Sequence, residues 1–272
     1  MFNIKELPFY DLLPVGVCDF NELKDDLIPC RAISRIPTDA KSVIVYLFPY
    51  YLGEAYYENS NISKYAVPDD YHKICGEYLE KAVAFLKEKY PDNSFQYFCD
   101  NSPLNEVKAA CISGLGVKGE NSLLINEAYG SFCFIGEIIT DLKIVATKNE
   151  IKSCLKCGAC NRKCINNALI SGEVDKEKCL SSITQKKGEL TQSEAELIRK
   201  SGCIWGCDIC QNVCPMNKNI KTTPIKEFYE NAKANYQNEA DYNENRAFSW
   251  RKPEVIYRNL KILCCKIHEN QL

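Results

Sequence analysis

The sequence has no long hydrophobic run and no large excess of charge of one sign. No window holds the roughly 18 apolar residues that a membrane-spanning helix needs. The opening stretch interrupts its apolar residues with Lys5, Glu6 and Asp11, which argues against a signal peptide. The formal net charge of −2 also lacks the strongly basic balance of a dedicated nucleic-acid-binding domain. We therefore expect a cytoplasmic globular protein without a membrane partner, in which any nucleic-acid contact is local.

Cysteine, in contrast, is abundant: the chain has 17 in 272 residues. Many fall in two short runs, "CLKCGACNRKC" at 154–164 and "CIWGCDICQNVCP" at 203–215. Thiols stay reduced in the cytosol, so clustered cysteines there are more often metal ligands than disulfides. The two runs therefore predict a metal-binding segment.

Charge divides the chain into unlike segments. Residues 1–147 hold 13 basic and 21 acidic side chains, a net charge of −8, whereas residues 148–226 hold 14 and 8, a net charge of +6. The remaining residues are balanced, with seven of each sign. We predict an α/β domain over 1–148, a cysteine-rich domain over 149–217, and a polar linker with a C-terminal helix over 218–272.

The first segment alternates strand and helix patterns. The β-branched run at 42–48 predicts a buried strand, residues 69–90 an amphipathic helix, and residues 95–99 a short strand. Ser102 fits the N-cap of a further helix, with Pro103 at its first position. The stretches 121–126 and 131–142 flank a turn and predict a hairpin. Together these patterns predict an α/β (α+β) domain with a mixed sheet.

The spacing of the cysteines is typical of paired iron-sulfur clusters. The first run is C-x2-C-x2-C-x3-C, and in such a run the fourth cysteine reaches a neighbouring cube instead of its own. We predict two [4Fe-4S] clusters. The alternatives left open are structural zinc and, for the last ligand of the second cluster, a choice between Cys179 and Cys203. The first cluster takes Cys154, Cys157, Cys160 and Cys214; the second takes Cys164, Cys207, Cys210 and one of those two.

The stretches "SKYAVPDDYHK", "FCDNSPLNEVKAACISGLGVKGENSLLINEAYGSFCFIGEIITDL" and "GCDICQNVCPMN" together resemble epoxyqueuosine reductases, over about residues 30 to 217. The resemblance implies a nitroreductase-like, cobalamin-binding N-terminal domain followed by a ferredoxin-like double [4Fe-4S] domain. It also implies an oxidoreductase that reduces the epoxide of epoxyqueuosine in tRNA to queuosine. Cob(I)alamin would be the nucleophile, and the clusters would supply its electrons.

The resemblance also assigns roles to single residues. It implies that Asp100, in "DNSP", is the proton donor, and that Tyr71 and His72, in "DYHK", line the cofactor pocket. A segment resembling "KCLSSIT" favours Cys179 over Cys203 as the last cluster ligand. From the residues alone, Asp100 could equally be a solvated acid at a helix N-terminus, and His72 an ordinary surface or core residue.

The expected partners are an electron donor of the flavodoxin or ferredoxin type and a tRNA. The expectation for tRNA is the weaker one, because the chain ends about where the family continues into a helical-repeat domain used in tRNA contact. A basic face could meet either partner. Its residues are Lys152, Lys156, Arg162, Lys163, Lys186, Lys187, Arg199 and Lys200.

Two other functions stay open on the sequence. One is a corrinoid iron-sulfur reductase that acts on a small molecule, as reductive dehalogenases of similar domain order do. The other is an electron carrier with two clusters and no catalysis of its own, whose α/β domain docks a partner. Binding of a cobalamin separates the first two functions from the carrier.

Overall fold

The computed structural model describes residues 2–147 and 153–264. The predicted boundary near 148, the basic residue Lys152, and the end of the predicted C-terminal helix after 264 lie outside these residues. None of the described helices has both the length and the apolar character that crossing a membrane requires. The strands are β1 (Val15–Asp19), β2 (Ser42–Pro49), β3 (Phe95–Cys99), β4 (Val117–Lys118), β5 (Leu124–Ile125), β6 (Cys133–Thr140), β7 (Leu169–Ile170) and β8 (Glu173–Val174). The α-helices are α1 (Tyr71–Lys89), α2 (Glu106–Ile112), α3 (Ala159–Lys163), α4 (Leu180–Thr184), α5 (Gln192–Ser201), α6 (Ile209–Asn212) and α7 (Pro253–Cys264).

The main sheet has four strands in the order β1-β2-β6-β3, and every neighbouring pair is antiparallel. The predicted mixed sheet was therefore wrong, although the predicted strands at 42–48 and 95–99 are confirmed. The helix α1 does connect β2 to β3, and these two strands run in the same direction. However, β6 lies between them and runs opposite to both, so no parallel pair forms.

The sheet is covered on both faces, which explains why all of β2 is buried. Ile44, Tyr46 and Phe48 belong to the apolar cluster that includes the inner face of α1. The alternate residues Val43, Val45 and Leu47 belong to the cluster that includes α2. Side chains on a strand point alternately to its two faces, so β2 contributes to both clusters.

A glycine in β6 lets α1 lie close to the sheet. A Cβ atom added at Gly136 would stand 2.7 Å from the Phe48 ring and 2.8 Å from Leu79 Cδ1 of α1. These distances are shorter than real Cβ contacts, so any larger residue would push the helix outward. The close packing holds the first turn of α1, with Tyr71 and His72, beside the end of β3, where Asp100 lies.

Two local predictions in this domain were wrong. The helix α2 begins at Glu106, and its N-cap is Asn105, three residues after the predicted cap Ser102. Ser102 is buried and caps no helix: its hydroxyl donates to the carboxylate of Glu137 and accepts from the Leu104 amide at 3.1 Å, in a turn before the helix. The predicted hairpin also does not form: β5 pairs with β4, whereas β6 joins the main sheet.

The cysteine-rich part consists of short elements. The capping box of Thr191 and Glu194 opens α5, and Gly202 closes it in a left-handed conformation. Such a cap contributes about 1 kcal/mol to helix stability. The hairpin of β7 and β8 and the short helices α3, α4 and α6 hold the cysteines between them.

The tail after residue 217 takes part in the main core. Ile225, Phe228, Tyr236 and Phe248 are buried in the cluster that also contains α1 and Trp205. Arg246 is only 2% exposed, lies 3.5 Å from Asp69 and donates to the Val67 carbonyl at 2.7 Å. The tail thus holds the loop that leads into α1. The domain boundaries themselves stay predictions.

Candidate functional site

Tyr71 and His72 in the first turn of α1 meet Asp100 at the end of β3. The Tyr71 hydroxyl donates to Asp100 Oδ2 at 3.1 Å, and His72 Nε2 lies 3.0 Å from the same oxygen. Asp70, the N-cap of α1, lies 2.7 Å from His72 Nδ1 through its Oδ1. The three residues named by the resemblance are therefore in direct contact. We call Asp70, Tyr71, His72 and Asp100 the proton group.

The electrostatics of the proton group place its proton on the imidazole. Burial lowers the pKa of His72, but hydrogen bonds with Asp100 and Asp70 outweigh it and raise that pKa to about 10. The hydrogen bond from His72 lowers the pKa of Asp100 below its usual value. Burial and the Asp100 charge raise the pKa of Tyr71, which keeps its hydroxyl neutral. At neutral pH the group therefore holds an imidazolium beside the Asp100 carboxylate.

Asp100 sits in a tight turn and caps no helix. Asp100 and Asn101 have φ angles of 56° and 45°, in the left-handed region that few residues other than glycine adopt. Asp100 Oδ1 accepts a hydrogen bond from the Asn101 amide at 2.9 Å, which stabilises the turn. The side chain of Asp100 is 56% exposed, so it stands at an opening of the site.

A cavity of about 420 Å³ lies between the proton group and the cysteine-rich part. The Tyr71 ring forms part of its wall and stacks on Phe134, with centroids 3.9 Å apart and planes at 6°. Tyr50 and Tyr65 extend this aromatic wall, and Asn121 and Ser131 add polar groups. A largely apolar wall with a few polar groups is typical of a cofactor pocket.

Five cysteines line the same cavity. Cys133 belongs to β6, beside Phe134, and the other four belong to the cysteine-rich part: Cys164, Cys179, Cys207 and Cys210. We call these four the inner cysteine group. Cys203 is not among them. Its thiol donates to the carbonyls of Trp205 and Gly206, at 3.2 and 3.3 Å.

The remaining predicted ligands form a second set beside a small separate cavity: Cys154, Cys157, Cys160 and Cys214. We call these the outer cysteine group. The short helices α3 and α6 pack together and connect the two groups. Cys160 lies within α3 and Cys210 within α6. Cys164 follows directly after α3, and Cys214 comes two residues after α6 ends at Asn212. Each helix therefore spans from one group to the other, as crossed ligation requires.

Both groups suit iron-sulfur clusters by the chemistry of their donors. Cluster irons are held by thiolates, four to a cube, and hydrogen bonds to sulfur tune the reduction potential. The amide of Ala168 donates such a bond to Cys164 Sγ at 3.2 Å. Among residues 2–147 and 153–264, no three His, Cys, Asp or Glu side chains converge on a site for a single metal ion.

The predicted basic face divides into paired and unpaired cations. Lys186 pairs with Glu177 and Glu194, and Glu196 pairs with both Arg199 and Lys200. Beside the outer cysteine group, Lys156, Arg162 and Lys163 are exposed and have no ion-pair partner within the described residues. Leu155 in the same run is 63% exposed. The positive surface is thus concentrated where the outer group approaches solvent.

Two residues of interest were missed on the sequence. Asp70 holds the far nitrogen of His72, and its place before an amphipathic helix could have revealed it as an N-cap. Glu137 is fully buried in β6. A lone acid within the apolar strand pattern of 133–140 was the available signal, because a charge cannot be buried cheaply without a partner.

Two family models match the chain. Residues 31–101 match the family described as epoxyqueuosine reductase QueG, DUF1730, and residues 153–217 match the 4Fe-4S double cluster binding domain. The first match ends just past Asp100. The second contains all eight cysteines of the inner and outer groups, so the cysteine-rich part is a double-cluster domain.

Relatives match across both parts of the chain. An epoxyqueuosine reductase of Synechocystis sp. is 31% identical over 203 residues, which are 72% of this chain and 70% of that relative. One of Cyclobacterium marinum is 35% identical over 198 residues, or 71% of this chain and 63% of the relative. The chain therefore spans less than two thirds of the latter. The solved structure of the Streptococcus thermophilus enzyme shares the fold, with a TM-score of 0.78, 23% identity, and coverage of 94% of this chain and 78% of that one.

Proposed function

The chain belongs to the epoxyqueuosine reductase family, and from that premise we propose that it reduces the epoxide of epoxyqueuosine in tRNA to the alkene of queuosine. One observation carries the proposal. The cavity is lined on one side by Tyr71, whose hydroxyl donates to Asp100 of the proton group, and on the other by four thiols of a double-cluster domain. The reaction converts the epoxide to an alkene and water, and it takes up two electrons and two protons. The two sides of the cavity can meet these two needs.

The eight cysteines are proposed to hold two [4Fe-4S] clusters, one in the outer and one in the inner group. The inner group includes Cys179, because its thiol lines the cavity with the other three, whereas that of Cys203 is engaged by backbone carbonyls. The outer group lies nearer to solvent, since Cys157 is exposed. Electrons would enter at the outer group and leave toward the cavity.

The cavity is proposed to receive a cobalamin, and the N-terminal domain to be of the nitroreductase-like, cobalamin-binding type. When bound, cob(I)alamin would supply a strong nucleophile at the epoxide carbon. The aromatic wall of Tyr50, Tyr65 and Tyr71 suits a flat macrocycle, part of which would extend beyond 420 Å³. No histidine lines this cavity within the described residues, because the imidazole of His72 is held between Asp70 and Asp100.

The proton group is proposed to protonate the oxygen that leaves the epoxide. Asp100 is the exposed end of the group and delivers the proton, which His72 holds at rest on Nε2. Asp70 fixes the imidazole from the far side, and the Tyr71 hydroxyl orients the Asp100 carboxylate. Proton transfer by a positioned side chain of this kind contributes about 10²- to 10⁴-fold to a rate.

The proposal also names the partners and the location of the protein. A related epoxyqueuosine reductase has been solved with an epoxyqueuosine-modified stem loop of tRNA-Tyr, at a TM-score of 0.76 and 24% identity. We propose a tRNA substrate for this chain by analogy. An acidic flavodoxin or ferredoxin would dock at the cations beside the outer group, such as Lys156 and Lys163. Reduced, clustered thiols favour the cytoplasm.

The test is a queuosine assay on tRNA from a strain that lacks its epoxyqueuosine reductase. The protein is reconstituted anaerobically with iron, sulfide and cobalamin and is then incubated with the tRNA. The tRNA nucleosides are separated by chromatography and identified by mass spectrometry. We expect conversion of epoxyqueuosine to queuosine, and a loss of about 100-fold or more in Asp100→Asn. The iron content and corrin absorption of this variant should stay unchanged. Asp92→Asn, which removes an exposed acid outside the site, is the matched control.

Three outcomes would contradict parts of the proposal. No conversion by a protein that carries both clusters and a corrin would favour a reductase of another substrate. Absence of corrin binding would leave only a two-cluster electron carrier. Full activity of Asp100→Asn would remove Asp100 from the proton path.

A further inference from the structure

Two carboxyl side chains lie behind the turn that carries Asp100, outside the cavity. Glu137 lies in β6 opposite Phe98 of β3, and its side chain has no exposed surface. The Ser102 hydroxyl donates to Glu137 Oε2, whereas Oε1 has no hydrogen-bond partner among the described residues. A charge buried in this way is costly unless something neutralises it.

The second carboxyl belongs to Glu106, the first residue of α2, which packs on β6. Its Oε1 is also buried without a partner in the described part of the chain. Burial raises the pKa of Glu106 well above its usual value, and the charges of Glu137 and Asp100 raise it further. Burial likewise raises the pKa of Glu137. The two carboxyl groups therefore oppose each other's ionisation.

No cation is available to neutralise this pair. No described Lys, Arg or His forms an ion pair with either carboxylate. The other titratable groups that face the pair are Asp100 and Cys99 at the end of β3 and Cys18 on β1, and each of them becomes negative when it ionises. Two carboxyl groups that are buried with unpartnered oxygens and that oppose each other's ionisation should not both be charged at neutral pH, so a proton should stay on the pair.

We infer that Glu106 and Glu137 share a proton and act together as a positioning pair for the proton donor Asp100. The shared proton joins the two carboxyl groups behind the Asp100 turn. Their remaining negative charge opposes the ionisation of Asp100, because coupling between two charges is reciprocal. His72 acts in the opposite sense and favours the Asp100 carboxylate. The pair thus makes it easier for a proton to move from His72 to Asp100.

Infrared difference spectroscopy tests the shared proton without any activity. At pH 7 the holoprotein should show the C=O stretching band of a buried carboxylic acid, which shifts in heavy water. Glu106→Gln and Glu137→Gln should each lose this band, because an amide N–H then takes the place of the shared proton. Glu77→Gln, which changes an exposed glutamate of α1, should keep it. Absence of the band in the unchanged protein, or its survival in both buried variants, would overturn the inference.

The positioning role itself rests on the proposed function and is tested by turnover. Glu106→Gln alone leaves one negative charge on Glu137, so it should lose the band with little change in kcat. The double variant Glu106→Gln, Glu137→Gln removes that charge and should lower kcat roughly tenfold for each unit by which the pKa of Asp100 falls, with KM for the tRNA unchanged. Iron content equal to that of the unchanged protein checks the folding of each variant. An unchanged kcat in the folded double variant would overturn the role of the pair. If the unchanged protein has no activity, the proposed function fails, and the infrared result still decides the shared proton.

Discussion

The inner and outer cysteine groups have the same ligand chemistry but lie in different surroundings. The inner group lines the cavity opposite Tyr71, together with buried aromatic side chains. The outer group lies beside the exposed Cys157 and Leu155 and the unpaired cations Lys156 and Lys163. Both groups therefore offer four thiols, and they differ in how deeply the cysteines lie and in the residues around them. The difference indicates a direction, from a surface that can meet a partner to a cavity that can meet a substrate.

The largest effect is expected from removing one ligand from the inner or from the outer cysteine group. Cys210→Ser removes an inner thiolate, so iron should fall from about eight to about four per chain, and turnover should vanish with every reductant. Cys157→Ser should lose the same amount of iron and fail with a protein donor. It should keep a measurable rate with titanium(III) citrate, which is small enough to reach the cavity. Iron analysis and turnover with both donors check this.

The contrary result for this pair of variants is equally clear. If Cys157→Ser and Cys210→Ser are equally inactive with titanium(III) citrate, depth does not distinguish the two groups. The proposed direction of electron flow would then have no support from these variants.

The next test concerns the side of the cavity opposite the inner group. His72→Gln removes the resting proton, so turnover should fall roughly 10- to 100-fold. The pKa of His72 is raised from 6.5 to about 10, so the proton is present below that value and lost as the pH rises through it. Activity of the unchanged protein should therefore decline on the alkaline side near pH 10. A pH profile of kcat checks this: the variant should not show the decline near pH 10. If the variant shows the same decline, a group other than His72 causes it.

The same region shows what sequence reasoning could and could not reach. The periodicity of 69–90 predicted α1, and the strand pattern of 95–99 predicted β3, so Tyr71 and Asp100 were placed at the ends of the correct elements. Their contact across the sheet depends on close packing at Gly136, which no local pattern encodes. The largest influence on the pKa of Asp100 is the hydrogen bond from His72, a tertiary neighbour that no local pattern reveals.

The order of the strands in the main sheet could not be predicted from the sequence either. Each strand of the main sheet that was predicted is present, but β6 enters between β2 and β3, and this order is set by long-range pairing. The residues around Ser102 fit an N-cap, yet its hydroxyl donates a hydrogen bond to the buried Glu137, a distant residue in the sequence. The tail looked polar because its buried aromatic residues, Phe228, Tyr236 and Phe248, are widely spaced. The cysteine spacing was far more informative, because cluster ligation is encoded locally.

A smaller effect is expected at the surface of the outer group. The double variant Lys156→Glu, Lys163→Glu should raise KM for an acidic flavodoxin about tenfold at low salt, and less at high salt as charges are screened. The rate with titanium(III) citrate should not change. Lys87→Glu, on α1 in the other domain, is the control. Equal effects of the control and the double variant would place the docking site elsewhere.

The smallest expected effect tests whether Cys179 or Cys203 is the fourth ligand of the inner cluster. Cys203→Ala should leave iron content and turnover unchanged, because the Cys203 thiol donates to the carbonyls of Trp205 and Gly206 and does not line the cavity. Cys179→Ala should lose about half of the iron, since Cys179 is one of the four cysteines of the inner group at the cavity. The reverse pattern would exchange the two cysteines and place the inner cluster farther from the cavity.

The central claim is that the two cysteine groups hold two neighbouring [4Fe-4S] clusters. Electron paramagnetic resonance of the reduced, anaerobically purified protein, quantified against its iron content, tests this most directly. We expect about eight irons per chain and a signal broadened by coupling between two reduced cubes. A protein with zinc in place of iron, or with about four irons and a single uncoupled signal, would contradict it.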